Sequence, residues 1–181
     1  MKKYLLICPL IILILIILVG LASLFWQKKS SSITNLIETK LQNNKQIDLP
    51  KFSLVNLDNS KTNFSNDDLL GKYSVINFFA SWCSSCRAEN DLLINLSQND
   101  KIIIFGVAWR DIDQSTKNYL NKNGNPYSKV GVDSKGTFAK SLGVSAMPES
   151  FVINPQGKII YYQKGAIDDN FIWFLRRMQK P

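Results

Sequence analysis

Apolar and polar positions follow each other in distinct ways along this chain, and each way predicts an element. Residues 4–26 carry no charge over 23 positions. Wound as an α-helix, that run is about 35 Å long, enough to cross a hydrocarbon layer of about 30 Å. Lys2 and Lys3 precede it, and Phe25, Trp26, Lys28 and Lys29 close it in the manner of an interfacial anchor. Pro9 near its start is tolerable in a membrane helix. Gly20 and Ala22 are small residues of the kind found before a leader cut, but the run is long for a cleaved leader. The expectation is an uncleaved anchor over 1–26, its N-terminus inside. Residues 27–48, rich in Ser, Asn, Lys and Gln, then read as a polar tether. As flexible coil it would reach about 25 Å, with one helical turn around Ile33 and Leu41.

From Leu49 onward the pattern changes, and 49–181 reads as one folded domain. Phe52 and Leu54 alternate with polar neighbours, Asp58-Asn59-Ser60 is turn chemistry, and residues 62–64 return as a short strand. Ser65 starts a brief helix that Gly71 ends. Residues 73–80 and 102–108 are continuous apolar runs, the mark of strands buried on both faces. Between them Leu92, Leu93 and Leu96 mark a helix that begins at Cys83. Strand, helix and strand of these lengths form a right-handed unit with parallel pairing. Residues 111–123 read as a helix with Asp113 as its cap, broken by Gly124-Asn125-Pro126. A short strand at 130–132 and a short helix at 136–142 follow. Strands at 150–153 and 158–163 flank the turn Asn154-Pro155-Gln156-Gly157. Phe171, Ile172, Phe174, Leu175 and Met178 give a terminal amphipathic helix, with Trp173 expected in its core.

Composition narrows the function. The formal charge is +8, and setting aside the four lysines around the apolar run halves it. No basic cluster interleaves with aromatics, so nucleic-acid binding has no support. The chain has no histidine and three cysteines. Cys8 lies in the apolar run, where it is a small apolar residue. The other two form Trp82-Cys83-Ser84-Ser85-Cys86 at a strand-to-helix junction.

A helix N-terminus presents unpaired N–H groups and a positive dipole end, so a thiolate there is favoured over the thiol. Cys83 is the expected attacking sulfur. Cys86, one turn deeper, is the resolving thiol that expels a partner from a mixed disulfide. A zinc site would need about four ligands, which this chain does not offer. Covalent haem attachment would need a histidine where Arg87 stands.

The order of these segments is that of thioredoxin. Trp82-Cys83-x-x-Cys86-Arg87-Ala88-Glu89, Gly124-Asn125-Pro126-Tyr127 and Gly143-Val144-x-x-x-Pro148-Glu149-Ser150-Phe151 resemble the DsbE/CcmG family. Those are membrane-anchored thiol:disulfide interchange proteins of bacterial cytochrome c biogenesis. The resemblance implies an α/β thioredoxin-like fold, a mixed sheet flanked by helices, behind one N-terminal transmembrane helix. It implies Cys83 and Cys86 as the redox-active disulfide, with Trp82 flanking the exposed sulfur. It implies a cis Pro148 facing the dithiol, and Met147 offering backbone to a cysteine peptide. Glu149 matches an acid beside the dithiol, a candidate proton shuttle, since Asn77 occupies the place of thioredoxin's buried Asp. Glu89 reads as a solvated helix acid. Ser84-Ser85 and Ala146 depart from the usual Pro-Thr and Gly, which leaves the chemistry intact and the redox potential open.

The resemblance implies a head on the periplasmic side of the inner membrane that reduces disulfides of apocytochrome c, or of its carrier, before haem is attached. A membrane electron donor re-reduces it, and no cofactor or metal is implied. The alternatives are a general envelope reductase or oxidant, a copper chaperone, which the lack of histidine disfavours, and a non-catalytic binding module.

Overall fold

The computed structural model describes residues 4–42, 46–58, 61–98 and 102–178, with the backbone alone for 4–11 and 25–32. In chain order the elements are α1 (Tyr4–Gln42), β1 (Ile47–Asp48), β2 (Ser53–Asn56), β3 (Asn63–Ser65) and a 3-10 turn at Asn66–Leu69. Then come β4 (Tyr73–Phe79), α2 (Ser84–Ser97), β5 (Ile102–Trp109), α3 (Asp113–Asn123) and β6 (Lys129–Asp133). The chain finishes with α4 (Thr137–Ser141), β7 (Glu149–Ile153), β8 (Lys158–Lys164) and α5 (Asp169–Met178).

All eight strands join one mixed sheet in the order β1-β8-β7-β4-β5-β6-β2-β3. The two continuous apolar runs lie at its centre as β4 and β5, paired in parallel from Tyr73–Ile102 to Phe79–Ala108. Helix α2 makes the crossover between them. Alternate side chains of a strand face opposite sides, and the core divides accordingly. Val75, Phe79, Ile104, Ala108 and Val152 pack under α2, α3 and α5. Ile76, Phe78, Phe105, Val107, Phe151 and Ile153 pack on the other face, with α4 and the C-terminal part of α1.

The thioredoxin-like sheet and helices agree with the sequence reading, and the tether differs from it. Helix α1 runs on to Gln42. Thr34 and Ile37 are buried, and Ile33 and Leu41 pack against the same cluster. Ile33, Ile37 and Leu41 recur at i, i+4 and i+8, an apolar stripe one residue wide that the polar composition around it hides. Burial of that stripe extends the single helical turn expected around Ile33 and Leu41 into a continuous helix. Among the described residues no helix is long and apolar enough to cross a membrane. The side chains of Cys8, Phe25 and Trp26, expected in an anchor, lie outside the described residues.

Two smaller expectations also shift. The residue before α3 is Ile112, and its side chain makes no capping bond. Asp111 acts there in place of Asp113: its carboxylate accepts from Ile112 N–H at 2.9 Å and from the Thr116 hydroxyl at 2.8 Å. In α5, Phe171 and Leu175 are fully buried, but Trp173 is 59% exposed with the Arg177 guanidinium over its ring. Trp173 falls two positions from each of Phe171 and Leu175, and so on the outer side of a 3.6-residue helix.

Candidate active site

Strand β4 ends at Phe79, and the chain turns sharply into α2 with Cys83 as its N-cap. The Cys83 sulfur accepts the Cys86 N–H at 3.0 Å, the bond by which a cap satisfies a free helix donor. Cys83 and Cys86 are joined in a disulfide, their Cα atoms 5.3 Å apart. Asp111 fixes the turn before them by accepting Ser81 N–H at 2.6 Å and the Ser81 hydroxyl at 2.9 Å. Its carboxylate therefore ties the dithiol turn to the start of α3.

In this oxidised state the sulfurs are less open than the sequence suggests. Cys83 is 5% exposed and Cys86 2%. Ser84, Ser85 and Trp82 form the exposed surface around them. The Ser85 hydroxyl lies 3.6 Å from the Cys83 sulfur and donates to the Met147 carbonyl at 3.5 Å. It bridges the dithiol to the loop ahead of β7. The Met147–Pro148 bond is cis, as the resemblance implies, and Met147 packs on the cluster that holds both cysteines. Trp82 is 59% exposed, its ring 6.0 Å from that of Trp109.

Both acids are buried, on opposite faces of the sheet. Glu89 is 2% exposed, not solvated. Cys86, Glu89, Asn90 and Leu93 are the buried positions of α2, spaced i, i+3, i+4 and i+7. That stripe faces the sheet with Leu96 packed beside it, while Leu92 is 45% exposed. Glu89 accepts from Asn77 Nδ2 at 2.9 Å and from Ile167 N–H at 2.8 Å. Asn77 also donates to the Ser150 hydroxyl at 3.0 Å, and its carbonyl accepts from Tyr127 OH at 2.7 Å. Gly106 makes room for this network. A Cβ there would lie 2.9 Å from the Phe79 and Tyr127 rings, which stack with centroids 4.7 Å apart.

Glu149 is fully buried too, but pairs in register with Phe78 and so shares its face, away from α2. Its carboxylate accepts from Ser145 and Ala146 N–H, both at 3.3 Å, and from Tyr162 OH at 2.9 Å. The contacts of Glu149 are with the loop that carries Met147 and Pro148; those of Glu89 are with the polar network one helical turn behind Cys86. The buried stripe of α2 was a sequence signal for Glu89. Tyr127 and Ser150 stand in the motifs that carry the resemblance, but no local pattern tied them to Asn77, which they reach from 50 and 73 residues away.

Burial pushes the Glu89 carboxyl up, opposed by the bonds from Ile167 and Asn77. Burial also raises Glu149, opposed by Tyr162, the two loop N–H groups and the charge of Lys164. Each group holds its proton more tightly folded than unfolded, so the native state binds more protons above the ordinary carboxyl value of 4.5. Stability is then fullest below that value and falls as pH rises through the folded values. Urea midpoints measured against pH are expected to decline over that window, and Glu149→Gln to flatten the decline. A midpoint that rises across it would contradict the assignment.

Residues 42–171 match the family model described as Redoxin. The thiol:disulfide interchange protein DsbE of Escherichia coli is 35% identical over 178 residues, 96% of this chain and 91% of that protein. The thiol:disulfide interchange protein HelX of Rhodobacter capsulatus is 37% identical over 110 residues, and the match spans 62% of its length. Several other relatives are likewise spanned over about three fifths of their length. A DsbF homologue from Corynebacterium diphtheriae shares the fold with a TM-score of 0.65 at 20% identity, over 75% of this chain and 88% of that one. With the cysteine pair at disulfide distance on the first turn of α2 and a match to E. coli DsbE along nearly its whole length, the chain belongs to the redoxin family and, within it, to the DsbE/CcmG thiol:disulfide interchange proteins.

Proposed function

We propose that this chain is a membrane-anchored thiol:disulfide oxidoreductase that reduces disulfides of apocytochrome c, or of its carrier, on the periplasmic side of a bacterial inner membrane. The observation that carries the exchange chemistry is the Cys83–Cys86 pair at a helix N-terminus, joined through Ser85 to the loop of the cis proline. The family resemblance supports the cytochrome c assignment. The anchor has separate support: between Ile12 and Leu24 every large aliphatic side chain is 48 to 69% exposed, a surface that suits lipid and not water.

The structure holds the oxidised, product form. In the reduced form the Cys83 thiolate, held by the Cys86 N–H and the dipole of α2, attacks one sulfur of the partner's disulfide. That disulfide breaks, and its other sulfur leaves as thiolate and takes a proton. Cys86 then gives up its proton and attacks the Cys83 sulfur. The mixed disulfide breaks and the second partner thiol is freed. Two electrons pass from the dithiol to the partner, and a dithiol electron donor in the membrane returns them. Trp82 and Met147 flank the point of attack, Pro148 holds the loop, and Glu89 accepts the Cys86 proton.

Cys86→Ser in the full chain, expressed in a host that matures cytochromes c, is expected to accumulate a Cys83-linked adduct. Mass spectrometry of that adduct should give an apocytochrome or a haem-ligation protein. A broad mixture of envelope proteins would point to a general reductase instead. No adduct at all would remove the exchange reading.

A further inference from the structure

A pocket of about 360 Å³ is lined by Arg110, Lys135, Thr137 and Lys140, with Arg110 lying over the Trp109 ring. The backbone builds it deliberately. Among the described residues Arg110 alone of the non-glycine residues has a positive φ, 48°. Strain of that kind persists only where the surroundings enforce it, and it clusters at functional sites. Here the Arg110 N–H donates to the Asp133 carbonyl at 3.1 Å, which pins the kink at the end of β5. The Arg110 guanidinium lies over the Trp109 ring, 5.1 Å from its centroid. Gly136, at φ 67°, leaves the space: a Cβ there would lie 2.8 Å from both Arg110 Nε and Trp109 Nε1.

The acids nearby do not answer Arg110 or Lys135. Asp133 turns its carboxylate to the N–H groups of Thr137, Phe138 and Ala139. Asp111 is held by Ser81, Ile112 and Thr116. The ion pairs of Lys129 with Asp68 and of Lys158 with Asp48 involve neither Arg110 nor Lys135. Both of those residues are exposed. The pocket therefore presents cationic groups to solvent one ring contact from Trp82, the residue next to Cys83.

We propose that this pocket docks an acidic segment of the polypeptide partner, a carboxylate lying on Arg110 and Lys135 while the partner's sulfur meets Cys83. The proposal rests on the exchange reading above. A planar guanidinium already held by an indole face is prepared for two-point pairing with a carboxylate. Cations beside the site of attack also speed the encounter with an acidic partner, and salt screens that gain.

The test uses the reduced full chain in detergent and two disulfide-bridged peptides, identical except for Asp or Asn at positions flanking the cysteines. The wild-type protein is expected to reduce the Asp peptide about fivefold faster at low salt, equivalent to about 1 kcal/mol, and the ratio should fall towards one at high salt. Arg110→Gln with Lys135→Gln should bring the ratio to about one. Lys135→Glu should lower it further, and carries the test alone where the Arg110 variant does not fold. Equal wild-type rates on the two peptides, or a ratio that all these variants keep, overturn the docking site and leave exchange standing. Failure to reduce either peptide overturns both.

Discussion

Cys83→Ser removes disulfide exchange, while Cys86→Ser stops it halfway. A serine hydroxyl is not ionised near neutral pH and does not open a disulfide, so turnover by Cys83→Ser should fall by roughly three orders of magnitude or more. With Cys86→Ser the attacking sulfur keeps its place at the end of α2, but the resolving step has lost its nucleophile. That variant is expected to release one equivalent of partner thiol as a burst and then stall as a Cys83 adduct. The asymmetry follows from position. Cys83 is the N-cap, its sulfur bonded to the Cys86 N–H. Cys86 is one turn in, 2% exposed, and reaches the partner only through Cys83. Stopped-flow thiol release with non-reducing electrophoresis reads both variants. A full-rate Cys83→Ser, or a stalled adduct on Cys86, would reverse the roles.

The sheet was legible because its central strands are single apolar runs, and because their turns carry Gly, Pro and Asn where the backbone needs them. Asn154 accepts the N–H groups of Gln156 and Lys158 and so makes the expected hairpin turn before β8. The dithiol was legible from two residues and their spacing. Less legible was anything set by contacts far apart in sequence. The segment before β1 looked like coil because three apolar residues among many polar ones only gain meaning when a core cluster covers them. That β2 and β3 close the sheet beside β6, and not beside β1, depends on the register Val55–Val132, which no local pattern carries.

The two acids show where the reasoning from spacing was sound and where it was misapplied. Glu89 follows Cys86 by three residues, which already places it on the same side of α2. Leu93 and Leu96, four and seven residues on, share that buried side, so Glu89 lies under the helix and not in water. The family resemblance implies Glu149 as an acid beside the dithiol. Strand alternation sends its carboxylate to the other face, where it grips the loop backbone and Tyr162.

Glu89→Gln is therefore expected to slow the resolving step far more than the first attack. Cys86 must lose a proton in a site where burial disfavours a thiolate. A carboxylate one turn away, its own affinity for protons raised by burial, is suited to receive it. General-base assistance of this kind is worth about a hundredfold at its lower end. The amide cannot take the proton, so the resolving rate should drop by about that factor near neutral pH and lose the rising limb set by Glu89. The substitution also sets an amide N–H against Asn77 Nδ2 or Ile167 N–H, and an unmet buried donor costs about 1–3 kcal/mol. Stability alone thus does not separate a proton acceptor from a structural acid, and the shape of the pH profile does. A Cys83 mixed disulfide prepared with a small aromatic thiol, released across a pH series, gives that profile directly. Glu149→Gln, which touches the loop and not the network behind Cys86, should keep the limb and alter partner affinity instead. If Glu89→Gln retained the limb and Glu149→Gln lost it, the proton would travel by the loop side of the sheet, and the assignment of the two acids would be exchanged.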